Sequence, residues 1–286
     1  MASPIRTISD TARWVAHYRA LESARPDALF NDHLAGRLAG ERGAAMARSV
    51  AGGPQFAWAL SVRTRLIDDL ITRLVTEDSL RFVVNLAAGF DTRPYRLPLP
   101  AGLRWIEVDL PALIGEKNEM LKNEQPVCRL ERVAVDLADD AARRDLMTRL
   151  GAEPGPGLVL TEGLLLYLEA AQVKALGADL ATVAPLRWWL TDLVSPRLLE
   201  MMTRGGRQKL GGSDITFKFA TDNAERFFGE LGWELTEFQG MFEAGHRLGR
   251  EMRMAWLWRI MMRFMKPEAR EQGRRMSGIG VLRRKV

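Results

Sequence analysis

"RFVVNLAAGFDTRPYRL" (Arg81–Leu97) is the stretch whose reading decides the fold. Its first part, "RFVVNLA" (81–87), is a short apolar run of strand type that passes directly into a glycine-bearing loop. Nucleotide-binding βα units open in this way. A dinucleotide fingerprint needs three glycines there, so that the backbone can approach a diphosphate and the helix can pack tightly. The window "AAGFDT" supplies one, Gly89, and sets Asp91 beside it, where a carboxylate would repel a phosphate. The loop therefore suits a ligand that is cationic and free of phosphate.

The alternation set up at Arg81 continues to the end of the chain. Candidate strands are 81–87, 103–110, 130–137, 157–163, 186–194, 233–239 and 278–285, with helical patterns between most of them, notably 111–124, 139–151 and 169–183. This pattern predicts an α/β fold, a mostly parallel sheet with helices on both faces. The first 80 residues read as helix instead. "ISDTARWVAHYRALESA" (8–24) has apolar positions at helical spacing, and "SVRTRLIDDLITRLVTE" (61–77) repeats the pattern with Val62, Leu66, Leu70, Leu74 and Val75. The expected organisation is a helical cap over 1–80 and a core over 81–286, with a lid insertion at about 196–220 and a helical insertion at about 241–275.

In such sheets the ligand lies outside the carboxyl ends of the strands. Four successive strands deliver a carboxylate there: Asp91, Asp109, Asp136 and Glu162. Any one of them is ordinary as a helix cap or a solvated loop residue; four at corresponding positions point to a site. Asp109 follows Gly89 by twenty residues, the distance at which an acid reaches a ribose. S-adenosylmethionine carries an adenosine, a sulfonium and an ammonium group and no phosphate, so the acidic strand ends suit it and do not suit NAD.

Six blocks extend this reading: "RPDALFNDHLAGRLAG", "VRTRLIDDLI", "VVNLAAGFDTRPYRL", "WIEVDLPALIGEK", "LVLTEGLLLYL" and "FATDNAERFFGELGWEL". Together, from about residue 20 to about residue 240, they resemble the leucine carboxyl methyltransferase family in its bacterial polyketide O-methyltransferase branch. The resemblance implies a Rossmann-like class I methyltransferase fold, with a seven-stranded sheet whose last strand is antiparallel and with helices capping the site. It also implies cofactor contacts. Arg63 would bind the methionine carboxylate, Ala87 and Gly89 would form the loop under the cofactor, and Asp109 would hold the ribose. Asp136 and the Leu137 N–H would flank the adenine, while Glu162 would sit by the methionine ammonium with Tyr167 nearby. One position departs from the family's Leu-Gly-Ala-Gly loop: here it is "LAAG", with Ala87 in place of the first glycine. Alanine at a strand end is expected to need no positive φ.

The chemistry turns on the methyl acceptor. A carboxylate is ionised at neutral pH, whereas a phenol or alcohol must lose a proton. The chain has three histidines, His17, His33 and His246, none at a strand end. That scarcity favours a carboxylic acid, although a Tyr, Asp or Glu could serve a phenol. Arg93 and Arg96 are the nearest guanidinium groups to orient an acid, and bracing of the loop is their ordinary role; Tyr167 is a further candidate. No metal is expected. The Met201–Met202 pair and nearby glycines suit an adaptable apolar lid.

Composition limits the remaining classes. The chain has 286 residues, 47% apolar and 27% charged. A single cysteine, Cys128, no signal-peptide pattern and no long apolar run imply a cytoplasmic protein without a membrane span. The net charge of +5 is uneven, with twelve Lys/Arg and three Asp/Glu in 247–286. "AGHRLGREMRMAWLWRIMMRFMK" (244–266) reads as one long basic amphipathic helix that acts as an extra cap, a homodimer contact or a membrane-surface element, the first two being favoured. The leading function is O-methylation of a carboxylate on a polyketide-like or other small molecule, with no nucleic-acid partner. The alternatives are a protein C-terminal carboxyl methyltransferase and a non-catalytic RNA- or lipid-binding protein that uses the basic C-terminus.

Overall fold

Short apolar runs bounded by turn residues form the strands β1 (Phe82–Leu86), β2 (Arg104–Asp109), β3 (Arg129–Ala134), β4 (Gly157–Thr161), β5 (Leu186–Val194), β6 (Trp233–Gly240) and β7 (Ser277–Arg284). The computed structural model, which describes residues 8–49, 53–203 and 216–285, joins them in one sheet of order β3-β2-β1-β4-β5-β7-β6. β1 pairs in parallel with β2 and with β4, and β7 runs antiparallel to both β5 and β6. This is the seven-stranded, mostly parallel Rossmann-like sheet with an antiparallel last strand that the resemblance implies. The strand order reverses between β1 and β4, which opens a crevice at their carboxyl ends.

Period-two alternation splits the strand residues between two cores. Val83, Trp105, Leu158, Leu190, Ile279 and Val281 face one side, whereas Val84, Ile106, Val108, Val159, Trp189 and Leu282 face the other. The first side is covered by α3 (Gly53–Glu77), whose Leu66, Ile67, Leu70, Ile71 and Leu74 recur at helical spacing and are all buried. The second is covered by α6 (Asp140–Gly151), α7 (Ala170–Thr182) and α9 (Ala224–Gly229). Burial of each such aliphatic side chain contributes about 1.5–3 kcal/mol.

Within the segment expected as a cap, α3 is a layer of the sheet's own core. α1 (Ile8–Ser23) and α2 (Ala35–Ser49) pack on each other beyond it, and Thr11, Ala12, Trp14, Val15 and Arg19 of α1 line the crevice. α5 (Pro111–Met120) follows β2, and the one-turn α4 (Arg93–Arg96) follows the glycine loop. Of the anticipated lid, α8 (Pro196–Thr203) and Phe217 reach the crevice, while 204–215 lie outside the described residues.

The basic segment differs from its sequence pattern: 244–266 is not one helix. α10 (Met241–Arg247) ends at Leu248, Gly249 (φ 63°) and Met254 (φ 66°) are left-handed, and α11 (Ala255–Arg263) starts afresh before α12 (Pro267–Arg274). The glycine supplies a conformation that stops a helix. The buried Arg250 side chain, 2.7 Å from Glu22 and 3.2 Å from Asp27, pins the break to the end of α1.

Candidate active site

The loop after β1 is built on Asp109. Its Oδ2 accepts the Gly89 N–H at 2.7 Å and its Oδ1 accepts the Leu110 N–H at 2.8 Å. The donor that a dinucleotide loop would turn toward a diphosphate is therefore occupied by a carboxylate. Burial pushes the Asp109 carboxyl above its ordinary range, and the backbone donors pull it only partly back. Each oxygen keeps a lone pair, so two hydroxyl donors can still be accepted.

Asp91 does not act as a lone anion in the loop. Its Oδ1 accepts the Arg93 N–H at 2.8 Å, and its Oδ2 accepts Asn85 Nδ2 at 2.8 Å and Arg93 Nη1 at 2.6 Å. Burial disfavours its charge, but the Arg93 guanidinium and N–H, with the more distant Lys117 and Arg19, together outweigh burial and hold the carboxyl well below the usual range. The missing anion nest is thus due more to the engaged Gly89 N–H than to repulsion by Asp91.

Ala87 overturns one expectation. It stands at φ 54°, in the left-handed region, and Gly89 at φ 51° follows it. The chain turns sharply between β1 and the Ala88 N–H, which donates to the Val108 carbonyl at 3.1 Å. An L-residue with a Cβ adopts that conformation at a cost.

From the loop an ionic chain runs across the crevice. Arg93, buried on α4, meets Asp68 of α3 (2.7 Å), Asp91 (2.6 Å) and Glu162 past β4 (2.7 Å). Arg96 holds Asp68 through two hydrogen bonds, at 2.6 and 2.9 Å, and lies 3.8 Å from Asp32, which Arg19 holds at 2.8 Å. Arg63 joins Glu162 (2.9 Å) to Asp192 of β5 (3.4 Å). Five carboxylates face four guanidinium groups in this chain, so it carries one excess negative charge. Burial works against ionisation of Glu162, but Arg93 and Arg63 outweigh it and leave the carboxyl below its ordinary value. Arg93 and Arg96 are both paired with carboxylates of the fold, although Arg96 Nε itself has no hydrogen-bond partner.

The crevice is a cavity of about 1580 Å³, and Arg63, Ala87, Gly89, Asp91, Asp109, Asp136, Leu137, Glu162 and Tyr167 all line it. Arg93 and Arg96 also reach its wall. Asp136 is exposed and accepts the Ala138 N–H at 2.9 Å, and among the described residues the Leu137 N–H meets no acceptor. Burial pushes the Tyr167 phenol up to about 12, and its ring lies 5.5 Å from that of Phe217. None of the three histidines lines the cavity.

Two lining residues escaped the strand-end reading. Asp192 accepts the Gly163 N–H at 2.8 Å, and burial raises its carboxyl; the signal was a lone acid inside the apolar run "WWLTDLV". Arg253 is exposed at the cavity rim and has no ion pair among the described residues. Its approach depends on the break between α10 and α11, which the helical periodicity of the segment concealed.

These donors fit a phosphate-free adenosine cofactor. Asp109 offers two acceptors with lone pairs left for ribose hydroxyls, and Asp136 with the free Leu137 N–H offers an acceptor and a donor for an adenine edge. At the far end, Glu162, Asp192 and the excess negative charge suit an ammonium or sulfonium group.

A family model described as leucine carboxyl methyltransferase matches residues 12–181. A Mycobacterium sp. (strain KMS) protein named for S-adenosyl-L-methionine-dependent methyl transfer is 36% identical over 79% of this chain and 83% of its own length. Among solved structures, a DUF574 family protein of Streptomyces avermitilis covers 96% of this chain and 97% of its own, with a TM-score of 0.58 at 15% identity. A Thermobifida fusca protein described as a methyltransferase covers 99% of this chain and 96% of its own, with a TM-score of 0.56 at 14% identity. At these identities the two structures speak for the fold alone.

Proposed function

The chain belongs to the leucine carboxyl methyltransferase family, and from that premise we propose that it methylates a carboxylate of an apolar, polyketide-like small molecule. It is an S-adenosylmethionine-dependent methyltransferase. When bound, the cofactor supplies a methyl group already activated on a sulfonium, so what the protein must add is alignment and exclusion of water.

The observation that carries the reading is the acid–base content of the cavity wall. It holds no histidine, the Tyr167 phenol is pushed up to about 12, and Glu162 is kept ionised by two guanidinium groups. The two acids raised by burial, Asp109 and Asp192, are each held by backbone N–H donors. Among the described residues, none of these lining groups is poised to take a phenolic proton near neutral pH, so the acceptor that this wall serves best arrives ionised. Tyr167 stays protonated and acts as a donor.

Arg253 is the group to orient such an acceptor, because a guanidinium matches a carboxylate in a fork and this one is free of competing acids. Methylation turns the anion into a neutral ester and removes its attraction to Arg253, which favours product release. Trp14, Val15, Leu198, Met201, Phe242 and Trp258 offer the acceptor's body an apolar wall. The other lining cations named above, Arg19, Arg63, Arg93 and Arg96, are paired with carboxylates of the fold. A protein C-terminus would instead call for a groove of free cations.

The test offers purified protein labelled S-adenosylmethionine with matched panels of apolar acids, phenols and peptides. Label released as methanol by mild base marks a carboxyl ester and is the expected outcome. Base-stable label, or transfer confined to peptides, overturns the reading.

A further inference from the structure

Helix α11 exposes more apolar surface than any element of a sheet-and-helix core requires. Trp256 is 55% exposed, Leu257 47%, Ile260 48%, Met261 46% and Phe264, which caps the helix, 84%. At about 100° per residue the five side chains fall in one arc of roughly 140°. The opposite side of the helix is seated: Met262 packs so closely on α12 that a Cβ at Gly273 would lie 2.5 Å from its Cε, and Trp258 lines the cavity. The outer arc is therefore not a consequence of a detached helix.

The charges beside the arc indicate what covers it. Arg259 is paired with Glu251, but Arg263 and Lys266 form no ion pair among the described residues. The last forty residues, 247–286, have a net charge of +9, whereas the rest of the chain sums to −4. A second copy docked arc to arc would bring the same unpaired cations to the same interface, and like charges there oppose association. An anionic lipid surface complements both features, since acyl chains take the aromatic and aliphatic side chains and headgroups take the cations. Nine residues rise only about 14 Å, so α11 can lie in the interfacial plane but not cross a bilayer core of about 30 Å. No helix among the described residues is long and apolar enough to span.

We propose that α11 docks in the plane of an anionic membrane surface, with the Trp256–Phe264 arc among the acyl chains and Arg263 and Lys266 at the headgroups. Met252, Met254 and Trp258 line the cavity from the same stretch. On the function proposed above, on which this step rests, an apolar acid dissolved in the bilayer is thereby brought beside the cavity mouth.

Flotation of the full chain with vesicles of mixed phosphatidylglycerol and phosphatidylcholine, against pure phosphatidylcholine, tests this without any cofactor. Its failure and the failure of the methyl-transfer reading are therefore separate results. Binding is expected on the anionic vesicles, weakening with salt, with a blue shift of fluorescence that the Trp256→Phe variant loses. Arg263→Gln with Lys266→Gln is expected to lower partitioning about 25-fold, from roughly fivefold per cation. Phe264→Ala is expected to lower it about tenfold or more. All of these positions are exposed, and an unchanged thermal midpoint verifies folding. No partitioning at low salt, equal partitioning on both vesicle types, or a dimer that buries Trp256 and is dissolved by Phe264→Asp would each overturn the proposal.

Discussion

Ala87→Gly should stabilise this protein, although glycine usually weakens a strand end. Ala87 sits at φ 54°, directly between β1 and the loop that Asp109 holds. An L-residue in the left-handed region costs roughly 1–2 kcal/mol that glycine does not incur. Against this, glycine gives the unfolded chain extra freedom worth about 0.4–1 kcal/mol. The difference leaves a net gain of about 0.5–1 kcal/mol. The opposite substitution, Ala87→Val, adds a β-branched side chain where positive φ is a genuine outlier, and should cost more than about 1 kcal/mol. Urea unfolding reads both as shifts of midpoint at constant slope. Binding of S-adenosylhomocysteine to Ala87→Gly should be no weaker than to the parent, because the Gly89–Asp109 bond is untouched. If Ala87→Gly destabilises by more than about 0.5 kcal/mol, or Ala87→Val unfolds at the parent midpoint, Ala87 is not left-handed in solution and the reasoning fails.

Further outcomes follow from the same geometry. Asp109→Ala removes the acceptor of the Gly89 and Leu110 N–H groups and the one proposed for the ribose hydroxyls; with charged hydrogen bonds at about 1.5–3 kcal/mol each, calorimetry should record a loss of cofactor affinity of about 100-fold or more. Because burial raises the Asp109 carboxyl, cofactor affinity should fall as pH drops through that raised value, above the usual 3.9 or so, and Asp109→Asn should abolish the dependence. Asp32, Asp91 and Glu162 have lowered values, so their contribution to stability is full above the unfolded values near pH 4 and is lost as pH falls toward the folded ones. An acid unfolding curve that shows no loss below about pH 4 would contradict the ionic chain. Arg93→Met leaves buried Asp91 without its ion-pair partner and takes one of two cations from Asp68 and from Glu162, which keep Arg96 and Arg63, and should cost about 3–5 kcal/mol in unfolding experiments. Arg253→Ala should raise KM for an acid acceptor about tenfold or more, with a smaller change in kcat and none in cofactor affinity; an unchanged KM would remove Arg253 from acceptor binding.

What the sequence by itself determined is whatever depends on neighbours along the chain. Short apolar runs alternating with helical patterns located all seven strands to within a few residues, and the spacing from Gly89 to Asp109 placed the acid opposite the loop whose N–H it accepts. The block "VRTRLIDDLI" brought Arg63 to the cavity wall because α3 is regular, so residue number converts directly to position. What only the tertiary structure decided depends on which charges find each other and where the backbone turns. Arg93 and Arg96 lie next to the site in sequence, yet Asp68, twenty-five or more residues away, and Glu162 hold them in place. Asp192 and Arg253 reach the same cavity from strands and breaks whose local patterns say only "apolar" or "helical". The positive φ of Ala87 arises because the chain must turn between β1 and the bond that Ala88 makes to β2. Electrostatic pairing and loop closure act through space, and that is why residues outside the local pattern settled what the site can do.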